Sequence, residues 1–147
     1  MQITRAGEYG VTGLMHLARC GPGQRTMIDQ VSRQEGIPKI FLAKIFQGLV
    51  KAGLVRSIRG AGGGFALAKD PGDIPVLEII EAVEGRIVFQ RCKMDRPDCE
   101  HVGGCALCGL FERAHDGLKE ALTRTTLADL ILQQEKIELA HPKGRRN

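Results

Sequence analysis

Four of the five cysteines fall between Cys92 and Cys108, and no other stretch restricts the chain as much. Six residues separate Cys92 from Cys99, five separate Cys99 from Cys105, and two separate Cys105 from Cys108. Pro97, Gly103 and Gly104 suit irregular backbone, and too few apolar side chains lie between the thiols to fix one conformation by burial. A bound metal would supply that order, and the rest of the chain then serves as a frame for the loop. Disulfides are the competing use. The N-terminus shows no signal peptide, so the expectation is a cytoplasmic protein with reduced thiols. Soft thiolates select zinc, copper(I) or iron-sulfur clusters. Zinc sites usually carry two short CxxC knuckles, and only Cys105 to Cys108 makes one. Long, unequal gaps suit a cluster, which is larger than a single ion. Spacing leans toward the cluster and leaves zinc open.

A chain of 147 residues can bury one core, with room for a small extension. No apolar run approaches the roughly 20 residues of a membrane span. With no Trp and one Tyr there is little to stack on single-stranded bases, so a nucleic-acid partner would be a duplex. The formal net charge of +4 is unevenly spread. Residues 1–70 carry +6, residues 71–108 carry −3 and the remainder +1. The basic charge therefore sits in the N-terminal half, away from the thiols.

Taken in order, Thr4 caps a first helix running to about Ala18, before the breakers Cys20-Gly21-Pro22-Gly23. Val11, Leu14, Met15 and Ala18 follow the i, i+3, i+4, i+7 spacing of one buried stripe. Glu8 lies a turn earlier, as an exposed helix carboxylate would. A second helix from Met27 to about Gln34 leads through Glu35-Gly36-Ile37-Pro38 into a third, Pro38 to about Ala52. On the third, Leu42, Ile45, Phe46 and Leu49 point inward, while Ile40, Ala43, Lys44, Gln47 and Lys51 project from the opposite face and Lys39 opens it. Two helices joined by a short glycine turn, the second with a basic and amide-bearing face, form the helix-turn-helix pattern that enters a major groove.

Leu54 to Arg59 reads as a strand, Gly60-Ala61-Gly62-Gly63-Gly64 as a flexible tip and Phe65 to Ala68 as the returning strand, which makes a wing. Arg56 and Arg59 flank the tip. The backbone of Gly62 and Gly63 can approach a sugar-phosphate chain while an arginine reaches the narrow groove or a phosphate. A nucleotide cradle fails on detail: Phe65 occupies the third glycine position of a GxGxxG starting at Gly60, and no Gly-Lys-Ser/Thr follows.

Asp70-Pro71-Gly72-Asp73 turns the chain into a helix from Val76 to Val83, ended by Gly85. A short extended piece at Ile87 to Phe89 would precede the cysteine loop. Beyond it Leu107, Leu110, Phe111, Ala114, Leu118, Ala121 and Leu122 line one face of a long helix. That face suits a dimer interface, the alternative being packing on the chain's own first helix. Thr125 or Thr126 caps a last helix, Leu127 to about Leu139. The fold class is mainly α with a small β-wing: a winged helix-turn-helix domain over 1–84, a cysteine-rich loop over 85–108, a dimerisation helix and C-terminal helix over 109–139, and a tail over 140–147.

This order of parts, with the opening MQITRAGEYG and the segment LVKAGLVRSIRGAGGGFALAKDPGDIPVLEIIEAVEG, resembles the bacterial IscR/NsrR/RirA group of winged-helix transcription regulators over about residues 1–135. The resemblance implies a homodimer on double-stranded operator DNA and an iron-sulfur cluster held by Cys92, Cys99 and Cys105 whose state sets DNA affinity. IscR-like relatives complete a two-iron site with a His two residues beyond the third cysteine, near which this chain has Cys108. NsrR-like relatives complete a four-iron site with an acidic residue of the partner's first helix, a position Glu8 matches. Both fourth ligands are present, so 2Fe-2S and 4Fe-4S stay open; His101 is a third, weaker candidate. The signal implied is nitric oxide, oxygen or redox state, or iron-sulfur supply.

Two rival classes remain: a regulator that uses its thiols for zinc or reversible disulfides, and a small cluster carrier that needs no wing. An enzyme is not indicated. The four His are scattered, and no nucleophile, base and orienting group come together in sequence.

Overall fold

Helix α1, Arg5–Arg19, begins where Thr4 takes extended backbone and its hydroxyl accepts from the Ala6 N–H. Its buried face is Gly7, Gly10, Gly13, Leu14, His16 and Leu17. Val11, Met15 and Ala18, expected at the centre of the stripe, are half-buried at its margin. The difference has a simple cause. Three glycines a turn apart leave a groove into which other helices settle, and a count of apolar side chains does not register them. The computed structural model that provides these positions describes residues 3–87 and 104–141. Phe89, Cys92, Cys99, His101 and the tail from 142 onward lie outside the described residues.

Helix α2, Ile28–Glu35, ends at Gly36 in the left-handed region (φ 67°). Ile37 then turns inward, its N–H donating to the Ser32 carbonyl, a helix stop in which glycine avoids the Cβ penalty. Helix α3, Lys39–Lys51, follows at once with Pro38 as its N-cap rather than its first residue. Leu42, Ile45, Phe46 and Leu49 are its buried residues, as the periodicity predicts. The hairpin is β1, Val55–Ile58, antiparallel to β2, Gly64–Leu67, with Val55 opposite Leu67 and Ile58 opposite Gly64. Phe65 of β2 meets Phe46 of α3 edge-on, centroids 5.0 Å apart. One 3₁₀ turn, Pro71–Asp73, leads to α4, Val76–Glu84.

Helix α4 closes over α1 and α3. Its last residue, Glu84, accepts from the Thr4 N–H and hydroxyl, each at 2.8 Å, and from the Gly7 N–H at 3.0 Å. An acceptor there satisfies N–H groups that the first turn of α1 leaves free. Helix α5, Ala106–Arg124, and α6, Leu127–Ala140, complete the chain. Thr126, not Thr125, caps α6 in a reciprocal box with Asp129, whose carboxyl is held below the ordinary value by the Thr126 backbone and hydroxyl hydrogen bonds. The strand-like link before α6 pairs with the link before α4: Val76 N–H donates to Thr125 O at 2.9 Å and Leu127 N–H to Ile74 O at 2.8 Å. Leu127 and Ile74 are both fully buried in the same core as Leu14, Leu42 and Phe46.

A Cβ on Gly13 would stand 2.7 Å from Phe46 Cε1, and one on Gly10 would stand 2.8 Å from Val83 Cγ2. Gly13→Val should therefore lower stability by about 2–3 kcal/mol through overpacking, outweighing the roughly 1 kcal/mol that glycine costs a helix. Urea denaturation followed by circular dichroism checks it; an unchanged midpoint would contradict the close approach of α1 and α3.

Candidate nucleic-acid interface and cysteine centre

The outward face of α3 is open. Ile40 is 84% exposed, Phe41 60% exposed, and Lys39, Lys44, Gln47 and Lys51 are all exposed. Ala43, expected on this face, is half-buried at its edge. Lys39 is tied across the helix-turn-helix to Asp29 at 2.7 Å, an exposed pair of small energy that steadies the approach of α2 to α3. Lys44, Gln47 and Lys51 share the wall of a cleft of about 760 Å³ with Arg5, Tyr9 and Phe41. Arg5 and Phe41 were not singled out by sequence reasoning. A signal for Arg5 existed: it is the first residue of α1, where the helix dipole disfavours a cation.

His16 holds α2 from behind. It is 7% exposed, and its Nδ1 lies 2.6 Å from Glu35 Oε1, across from α1 to the end of α2. A part-buried polar contact of this kind favours one arrangement of the two helices, because its separation would take from the buried His16 ring its Glu35 partner.

The wing tip is a tight turn closed by the Gly63 N–H donating to Gly60 O at 2.9 Å. Gly62 has φ +78°, the value that the third position of a type II turn requires. Arg59 leads into the tip and is exposed. Arg56 is turned the other way, its Nη2 donating to Gly23 O at 3.4 Å at the base of the wing. The α1–α2 loop also joins the sheet: Thr26 and Phe65 exchange two backbone hydrogen bonds of 2.9 Å. Sequence reading missed this third edge because the pairing joins residues far apart in the chain.

Of the proposed metal ligands, the described residues include Glu8, Cys105 and Cys108. Cys105 is the N-cap of α5 and Cys108 sits in its first turn; both are half-buried free thiols. Cys108 thus belongs to the helix rather than the loop. The first turn of a helix presents N–H groups without intrahelical partners, so both sulfurs lie beside free backbone donors. Glu8 is exposed on the first turn of α1. Among the described residues no three His, Cys, Asp or Glu side chains gather closely enough for a metal ion; Cys92 and Cys99 lie outside those residues.

Helix α5 has no buried residue. Leu107 and Leu110 are 55% and 51% exposed, and Phe111, Leu118 and Leu122 are half-covered. Among the described residues the helix packs chiefly on α4, and Leu107 and Leu110 on its apolar face stay more than half exposed.

Residues 3–133 match the model of the Rrf2 family, described as an iron-dependent transcriptional regulator. The chain belongs to the Rrf2 family. It is 33% identical over 140 residues to the HTH-type transcriptional regulator IscR of Cronobacter sakazakii, covering 95% of this chain and 86% of that one. The structure of CymR (YrzC), the global cysteine regulator of B. subtilis, superposes with a TM-score of 0.75 at 31% identity over 90% of this chain and 98% of CymR. IscR of T. potens superposes with a TM-score of 0.72 at 27% identity, over 100% of this chain and 94% of that one. This Rrf2 chain is thus a DNA-binding transcription regulator of winged-helix fold and not an enzyme. No described helix is long and apolar enough to cross a membrane.

Arg59→Ala should weaken duplex binding by about 1–3 kcal/mol, roughly 5- to 150-fold, while the helical content stays unchanged. Fluorescence anisotropy with labelled duplex tests this; wild-type affinity in the variant would remove Arg59 from the interface.

Proposed function

We propose that this Rrf2 regulator is a homodimer on operator DNA whose affinity is set by an iron-sulfur cluster held by Cys92, Cys99 and Cys105. Cys108 or Glu8 of the partner subunit supplies the fourth ligand. The reading helix is α3, through Lys39, Ile40, Lys44, Gln47 and Lys51. The wing adds Arg59 with the backbone of Gly62 and Gly63. Arg56 serves by holding the α1–α2 loop to the base of the wing, so that its contribution to DNA binding is to position Arg59 and the tip.

The observation that supports the reading is the place of Cys105 and Cys108 at the N-terminal end of α5, as its cap and in its first turn. Two free thiols three positions apart on one helix end suit a shared metal group, and the donor chemistry is that of a cluster or zinc. When bound, a cluster supplies a centre that reacts with nitric oxide or oxygen and responds to iron-sulfur supply. The protein's part is mechanical. The cysteines fix the N-terminal end of α5, α5 lays its uncovered leucines against a second copy, and the pairing of two α5 helices sets the separation of two α3 helices. Ligand-dependent ordering of that end then shifts the population of dimers with the spacing a two-fold site requires.

A second reading, a thiol- or zinc-based regulator without a cluster, is favoured by the likeness to CymR, which is named a cysteine regulator. A cluster-carrier role is the weakest, since it has no use for the open face of α3.

Protein purified without oxygen should show visible absorption with iron and matching acid-labile sulfide. Cys105→Ser should lose both and change duplex affinity by about 10-fold or more. Zinc without sulfide, or unaltered DNA affinity after cluster loss, would defeat the sensor. Leu110→Asp should turn the dimer into a 16.0 kDa monomer in sedimentation; an unchanged mass would place the dimer contact elsewhere.

A further inference from the structure

We infer that Arg25 is a phosphate contact of the wing, a second cation that the α1–α2 loop delivers to the tip beside Arg59. The inference rests on the wing binding duplex DNA. Thr26 is hydrogen-bonded to Phe65 in both directions, so the residue before it is laid along β2. A Cβ on Gly64 would lie 2.8 Å from Arg25 Cγ and equally close to Thr26 O, which shows how tightly the arginine stem is seated at the root of the tip. From there the guanidinium runs outward. Its Nη1 donates to Ala61 O at 3.3 Å, and Nη2 lies 3.6 Å from where a Gly62 Cβ would be.

This anchorage uses one long, weak hydrogen bond of the five that a guanidinium can donate. Arg25 is exposed, and no carboxylate pairs with it among the described residues. Other cations are engaged differently: Lys39 with Asp29, Lys69 with Glu78, Arg19 with Glu138, Arg124 with Glu120. Neither residues 20–28 nor residues 51–69 contain an acidic residue. A planar donor fork, held beside a glycine turn whose backbone can approach closely, is suited to a phosphate oxygen and carries no base preference. Sequence-independent affinity and salt dependence are what such a contact contributes.

The test uses the full chain and a mixed-sequence duplex of about 30 base pairs, titrated from about 50 to 200 mM salt. Arg25→Gln keeps a donor for Ala61 O and removes the charge; it should weaken binding about 3- to 10-fold and lower the salt slope by about one per chain, while Arg25→Lys keeps the slope. Wild-type binding in Arg25→Gln would overturn the proposal. So would equal losses in Arg25→Gln and Arg25→Lys with the slope unaltered, since that outcome assigns the residue to wing shape alone. Arg59→Ala run alongside separates the two levels: if it weakens binding while Arg25→Gln does not, the wing stands and Arg25 falls; if neither matters, the wing contact itself fails.

Discussion

The close approach of α1 to its neighbours is the constraint on which the other placements depend. Gly7, Gly10 and Gly13 let α4 and α3 come nearer than side chains would allow, with Val83 and Phe46 filling the space. Close packing makes such contacts sensitive to a single added carbon. Phe46 belongs to the inner face of α3, so the same contact that seals the core also turns Lys44, Gln47 and Lys51 outward. At the other end of the groove Glu84 binds the start of α1, and the residue after it opens the segment that leads to the cysteines. The first turn of α1, with Glu8, is thereby held at the end of the molecule from which the cysteine segment departs.

Much of this was legible in the sequence, and for identifiable reasons. The inner stripe of α3 has large apolar residues at strict helical spacing, and Gly36 marks a helix stop that only a residue tolerant of positive φ makes cheaply. The wing announced itself through a glycine run between short β-prone segments. What stayed hidden was non-local or glycine-borne. The buried face of α1 was read a few residues to one side because its glycines carry no hydropathy. The part-buried His16–Glu35 contact and the Thr26–Phe65 pairing join parts of the chain that no local pattern connects. For the cysteine centre, spacing identified the thiols, and the helix boundary that assigns Cys105 to a cap and Cys108 to the first turn came from the fold. The facing cleft residues Arg5 and Phe41 illustrate a third case, in which each is unremarkable alone and becomes informative only when α1 and α3 are brought together.

The modest net charge conceals a division of labour among the cations. Arg19, Lys69 and Arg124 are paired with nearby carboxylates, and in exposed pairs of this sort the electrostatic gain is small and screened by salt. Lys44 and Lys51 on the open face of α3 and Arg59 at the wing tip are exposed and have no carboxylate partner among the described residues. Lys39, at the start of α3, is the exception: it is paired with Asp29, so a phosphate engaged there under the proposed role would exchange one anionic partner for another.

The link between α5 and α6 has a further consequence. Backbone hydrogen bonds from Val76 to Thr125 and from Leu127 to Ile74 weld one end of α5 to the core, while Cys105 sits at the opposite end. Nineteen helical residues make a rod about 28 Å long. A tilt of about 5° about the welded end would carry the cysteine end sideways by about 2.5 Å, a leverage set by helix geometry. If the thiols hold a metal group as proposed, a sub-ångström rearrangement there would appear at the weld as a rotation of a fraction of that angle. The helix is therefore a lever pivoted where it joins the core that carries α3, and its length fixes the gearing between displacement at the cysteine end and rotation at the weld.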